Sequence, residues 1–149
     1  MKSQAIVAYG APLEEVTSDI PTPKGTEVVV KISHSGVCHS DVHLQDGHVD
    51  IGDGDKIDWS KGRTLPHTLG HEIEGTLSAV GPDAQALLEG RAVGQRFVVF
   101  PWIGCGECAT CKRDQEHICS KPRQIGIQVA GGYSEYVART GHEAPGLRS

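Results

Sequence analysis

The 149 residues predict a mainly β fold, a barrel or sandwich of short strands with few short helices. Three observations carry that reading. β-Branched and alternating runs recur along the chain. Its 19 glycines and 8 prolines break those runs at short intervals. Helix-like stretches are confined to two short segments.

In chain order, "EVVVKIS" (27–33) follows the turn-like "PTPKG" and reads as a strand. "CHSDVHLQD" (38–46) reads as one or two helical turns, with Ser40 or Asp41 near the start. Residues 46–65, "DGHVDIGDGDKIDWSKGRTL", are polar and rich in Gly and Asp, so a surface loop is expected. "EIEGTLSAV" (72–80) alternates and stops at Gly81-Pro82. "DAQALLEG" (83–90) reads as a short helix or an irregular loop. "QRFVVF" (95–100) is a strand halted by Pro101, and "GGYSEYVA" (131–138) is a strand after a Gly-Gly turn. Residues 140–149, "TGHEAPGLRS", lack periodicity and are expected to be a loose tail. Internal repeats and low-complexity tracts are absent.

Composition narrows the class. The length suits one domain and buries most of its apolar surface without staples. The formal net charge is −5 with no basic run, so neither nucleic acid nor an anionic membrane surface is an expected partner. No apolar run approaches the ~20 residues of a membrane-spanning helix. "MKSQAIVAYG" has one lysine and no long apolar region, so no signal peptide is expected. A cytoplasmic setting with reduced thiols follows.

Four of the five cysteines fall in "WIGCGECATCKRDQEHICS" (102–120), spaced C-x2-C-x2-C-x7-C. Cys105, Cys108, Cys111 and Cys119 have the number and chemistry for a tetrahedral zinc site, and Gly104 and Gly106 permit tight turns around an ion. A shell filled by four protein ligands leaves no exchangeable position, so such an ion is structural. Two alternatives stay open. The first half matches the opening of bacterial iron–sulfur motifs, although there the fourth cysteine follows after three residues and precedes proline. Disulfides or free thiols are the other.

A sparser constellation lies elsewhere. Cys38 in "GVCHSDVHL" and His71 in "LGHEIEG" supply a thiolate and an imidazole, and Asp41 is a candidate carboxylate behind the histidine. Spacing alone supports equally a buried small thiol at Cys38. His39, His43, His48 and His67 read equally as solvated loop residues.

"GVCHSDVH", "LPHTLGHEIEG", "VGQRFVVFPWIGCGECATC" and "GGYSEYV" together resemble the N-terminal part of the zinc-dependent medium-chain alcohol dehydrogenases, over nearly all of residues 5–138. The resemblance implies a GroES-like, partly open β-barrel over 1–139, with a zinc-binding loop lobe at 102–122. It implies Cys38 and His71 as ligands of a catalytic zinc, Glu72 as a close neighbour, and Asp41 as the residue that orients His71. Ser40 stands where the family keeps a hydroxyl that bonds the substrate alcohol. His43 stands at the outer end of a proton relay, and His39 where the cofactor pyrophosphate is contacted. The four clustered cysteines match the structural zinc. The implied reaction is NAD(P)-linked oxidation of a small alcohol to an aldehyde or ketone. The alternative is a non-enzymatic zinc-stabilised barrel acting as a binding or assembly module.

The chain departs from the family in one respect. No G-x-G-x-x-G follows a strand, and no run of βαβ units is visible, so the nicotinamide applies to the full-length family only. The family's third ligand to the catalytic zinc lies beyond the point equivalent to residue 149. Water, Glu72 or His142 would complete the shell. A truncated form, inactive alone, is therefore expected, and an uncovered docking face would favour a homo-oligomer.

Overall fold

The computed structural model describes residues 1–140 and 147–148. The strands are β1 (Lys2–Ile6), β2 (Glu14–Thr17), β3 (Glu27–Gly36), β4 (His48–Gly52), β5 (Asp55–Asp58), β6 (His67–Thr68), β7 (Glu72–Val80), β8 (Arg96–Val99), β9 (Trp102–Ile103), β10 (Arg123–Gln124), β11 (Tyr136–Thr140) and β12 (Leu147–Arg148). Among the described residues one α-helix, α1 (His39–Asp46), lies between β3 and β4. Short 3₁₀ turns occupy Gln85–Leu88, Cys111–Arg113 and Glu116–Ile118.

A five-stranded antiparallel sheet, ordered β11-β3-β7-β8-β12, is the backbone of the fold. Val28, Val30, Ile73, Leu77, Phe97, Val99, Val137 and Leu147 meet in its core. Burying such side chains stabilises by about 1.5–3 kcal/mol each. A second sheet, β2-β1-β6, sits beside it. The two are stitched where Gln4 N–H donates to the Tyr133 carbonyl at 2.7 Å and Glu135 N–H to the Lys2 carbonyl at 3.0 Å. The sheets remain open.

The sequence-read strands fall close to β3, β7, β8 and β11, and 83–90 contains the 3₁₀ turn. Three differences stand out. The polar stretch 46–65 holds a hairpin, β4 against β5, turned at Gly52, Asp53 and Gly54 with positive φ. Its outward side chains are mostly polar, so no alternation betrayed it. The last strand begins later, at Tyr136, because Gly131 to Tyr133 pair instead with 68–70. Within the expected loose tail, Thr140 ends β11, while Leu147 pairs with Val99 and is buried. His142 lies outside the described residues.

A second, smaller core matters most for the site. Ile6, Leu44 and Leu69 are fully buried together, flanked by Tyr9, Leu13, Trp59, Leu65, Ile127 and Tyr133. Leu44 belongs to α1 and Leu69 lies two residues before His71. This cluster therefore pins the helix against the entry to β7. Helix α1 is too short to be stable alone. It ends at Gly47, whose φ of 77° is left-handed and whose missing Cβ leaves room for the Tyr9 ring.

Candidate metal centres

Cys38 caps the N-terminus of α1, and its Sγ lies 3.2 Å from His71 Nε2 at the start of β7. A thiolate and an imidazole sharing one tetrahedral zinc would stand about 3.5 Å apart, given Zn–S and Zn–N bonds near 2.3 and 2.0–2.1 Å. The donor pair thus fits a metal. Both residues are half-buried.

Asp41 organises this pair through the backbone. Its carboxylate is buried at 3% exposure. Oδ2 accepts the Cys38 N–H at 3.0 Å and Oδ1 accepts the Gly70 N–H at 3.1 Å. One carboxylate therefore fixes the residue that bears Sγ and the residue before the imidazole. Asp41 Oδ1 also faces His71 Nδ1 at 3.6 Å, an electrostatic contact beyond hydrogen-bond length. His71 Nδ1 is buried without a hydrogen-bond partner among the described residues. Cys38, Asp41 and His71 form a compact group of possible metal-binding side chains.

The remaining sequence-read residues lie around this group. Ser40 sits half-buried on the first turn of α1. His39, exposed, stacks on His43 with ring centroids 4.4 Å apart, and His43 meets Trp59 edge-on at 6.3 Å. Trp59 packs against the Leu44 core and its backbone N–H donates to the Gly47 carbonyl at 2.8 Å. Glu72 is not part of the Cys38–Asp41–His71 group; its side chain lies over Gly36, where any Cβ would collide with it. Two of the histidines differ from solvated loop residues. His67 is buried and reaches the Gly126 carbonyl at 3.2 Å, and burial pushes its pKa down. His48 contacts Lys56 across the hairpin at 2.9 Å.

Tyr133 escaped the sequence reading. Its hydroxyl donates to the Gly36 carbonyl at 3.4 Å, and its ring lies where a Cβ at Gly70 would be. Burial, then the Asp41 carboxylate, pushes its phenol well above the ordinary value. The "GGY" triplet was its only signal.

The second centre is the lobe between β9 and β10. Among its sulfurs, Cys105 to Cys111 measures 3.9 Å, Cys108 to Cys111 3.5 Å, and Cys108 to Cys119 3.9 Å. Four sulfurs on one zinc would be about 3.8 Å apart, against about 2.05 Å for a disulfide. All five cysteines are free thiols. Backbone N–H groups point at the sulfurs: Cys111 to Cys108 at 3.4 Å, Cys105 to Cys119 at 3.5 Å, and Lys121 to Cys119 at 3.3 Å. The Cys111 N–H leads in holding the Cys108 thiol down at about 6, and the Cys105 N–H leads in lowering Cys119. Burial pushes Cys111 up to about 12. The set has the donors and geometry of a closed tetrathiolate shell.

Arg139 of β11 ties the lobe to the sheet. It is fully buried, donates to the Phe100 and Trp102 carbonyls at 3.2 and 2.6 Å, and pairs with Glu116 at 3.1 Å.

The chain is similar to known proteins over most of its length. The family model of the alcohol dehydrogenase GroES-like domain matches residues 24–145. The NAD-dependent alcohol dehydrogenase of Sulfurisphaera tokodaii is 42% identical over 92% of this chain and 38% of its own length. That of Saccharolobus solfataricus is 40% identical over the same shares, 92% and 38%. The crystal structure of the alcohol dehydrogenase of Aeropyrum pernix superposes with a TM-score of 0.77 at 29% identity, covering 95% of this chain and 38% of that one. The chain spans 38% of the length of the first two relatives. With its mainly β fold, it belongs to the alcohol dehydrogenase family, as a GroES-like domain.

Proposed function

We propose that this chain is the catalytic-domain portion of a zinc-dependent alcohol dehydrogenase, acting on a small alcohol with a nicotinamide as the hydride acceptor. The observation that carries the reading is the approach of Cys38 Sγ to His71 Nε2 at 3.2 Å, on a helix cap and a strand entry fixed by one buried carboxylate. The names of the two archaeal relatives support the cofactor and substrate class.

Cys38 and His71 would hold zinc, which when bound supplies Lewis acidity and lowers the pKa of an alcohol. The chain's own part is to bind, orient and move a proton. Ser40, two residues from Cys38 on the first turn of α1, would accept the alcohol proton and pass its own outward. His43, half-buried and stacked on exposed His39, gives that proton a route to solvent. Trp59, edge-on to His43 and packed on the Leu44 core, would hold the His43 ring from one side.

The described residues contain no βαβ unit and no glycine-rich phosphate loop, so they do not fit a dinucleotide site. By itself the 149-residue chain should therefore not reduce NAD. A chimera tests the reading: this chain joined in frame to the remainder of the Sulfurisphaera tokodaii relative. The proposal expects alcohol-dependent NADH formation that Cys38→Ser or His71→Ala abolishes. A folded, NAD-binding chimera whose activity survives either substitution would overturn it.

A further inference from the structure

We propose that Tyr133 is a positioning residue for the Cys38–His71 centre, bridging the two chain segments that carry the donor atoms. The proposal rests on the metal-centre reading above. Three successive backbone bonds zip the Tyr133 segment to the run that enters His71: Gly131 N–H to Thr68 at 2.9 Å, Gly132 N–H to Gly70 at 2.8 Å, and Tyr133 N–H to Leu69 at 2.9 Å. This clamp is glycine-lined because Cβ atoms at Gly126 and Gly131 would strike the backbone of Leu69 and Gly70, and one at Gly132 would strike the side chains of Ile73 and Ser35.

The side chain then spans the gap. The ring occupies the space that a Cβ on Gly70 would need, with Cδ1 only 2.6 Å from that position. Gly70 has φ +93°, so the turn beside His71 is one that glycine alone adopts without strain. At its far end the hydroxyl donates to the Gly36 carbonyl at 3.4 Å, two residues before Cys38. Asp41 joins the same two segments from the helix side, through Cys38 and Gly70. The donor atoms are thus set by a carboxylate on one side and an aromatic spacer on the other. The ring is the close contact, and the hydroxyl bond is long, so the spacing depends mainly on the ring.

Cobalt(II) binding to the purified chain tests this, read by the thiolate–cobalt absorption that Cys38→Ser removes. Circular dichroism and thermal unfolding monitor the fold separately. Tyr133→Leu, which keeps an apolar side chain but removes the ring, and Tyr133→Ala are expected to weaken the Cys38-dependent cobalt site about 10-fold or more and to shift its absorption. Tyr133→Phe, which keeps the ring, is expected to stay within about threefold of the native protein. The four-cysteine site should retain its metal in all three. A folded Tyr133→Leu chain with native cobalt affinity and spectrum would overturn the role of Tyr133. A native chain with no Cys38-dependent cobalt signal would instead overturn the metal-centre reading itself.

Discussion

Asp41 accepts the Gly70 N–H at 3.1 Å, across 29 residues of sequence, and thereby couples helix α1 to the segment that presents His71. Its second oxygen is committed to Cys38 N–H at 3.0 Å. Both contacts need an acceptor at both carboxylate oxygens. Asp41→Asn puts an amide N–H against one of those donors. The expected cost is about 1–3 kcal/mol in urea unfolding, together with about 10- to 100-fold weaker metal binding at Cys38 and His71. Unchanged stability and binding would show that the two backbone bonds are dispensable.

The four-cysteine lobe should carry a colourless, tightly held zinc. Acidification releases it, because protons compete for the thiolates. Zinc loss should then melt 102–122 before the five-stranded sheet, which hydrogen exchange can resolve. A brown protein with visible absorption would point to iron–sulfur instead.

Arg139, wholly excluded from solvent, pairs at 3.1 Å with the partly buried Glu116 between β11 and the lobe. Truncation to Arg139→Ala leaves Glu116 facing a void. The expected loss is about 3–5 kcal/mol in denaturant unfolding. A loss below ~1 kcal/mol would mean the lobe is anchored by other contacts.

Glu74 bridges Arg96 and His34 on the exposed face of the sheet, and chiefly the Arg96 hydrogen bond lowers its pKa to about 2. A carboxylate depressed on folding stabilises above its ordinary pKa. That contribution is present above about pH 4.5 and fades as pH falls toward 2. Glu74→Gln should flatten the thermal midpoint across that interval. The effect should be small and should shrink in high salt, because the cluster faces solvent.

Much of this was legible in the sequence, for physical reasons. β3 and β7 were readable because valine-rich and alternating runs report strands that pack on a core. The tetrathiolate lobe was readable because four ligands of one metal must sit close in the chain or be held there by tight turns. The hairpin β4–β5 was hidden because its outward residues are polar on most positions. The strand β12 was hidden because two residues are too few for a pattern, although Leu147 is fully buried. Cys38 and His71 were nameable from motif resemblance, but their approach involves a carboxylate 3 residues after Cys38 and 30 before His71, and a tyrosine 62 residues after His71, a separation that no local spacing reports. Arg139 lies just past the sequence-read strand 131–138; only tertiary packing shows that its charge points inward to Glu116.

The most direct test of the two-centre account is native mass spectrometry of the zinc-loaded chain during a graded chelator titration, with Cys38→Ser alongside. The account predicts two zinc ions at saturation, one lost early and one retained, and only the retained ion in Cys38→Ser. Two ions of equal tenacity, or a Cys38→Ser chain that still binds two, would contradict it.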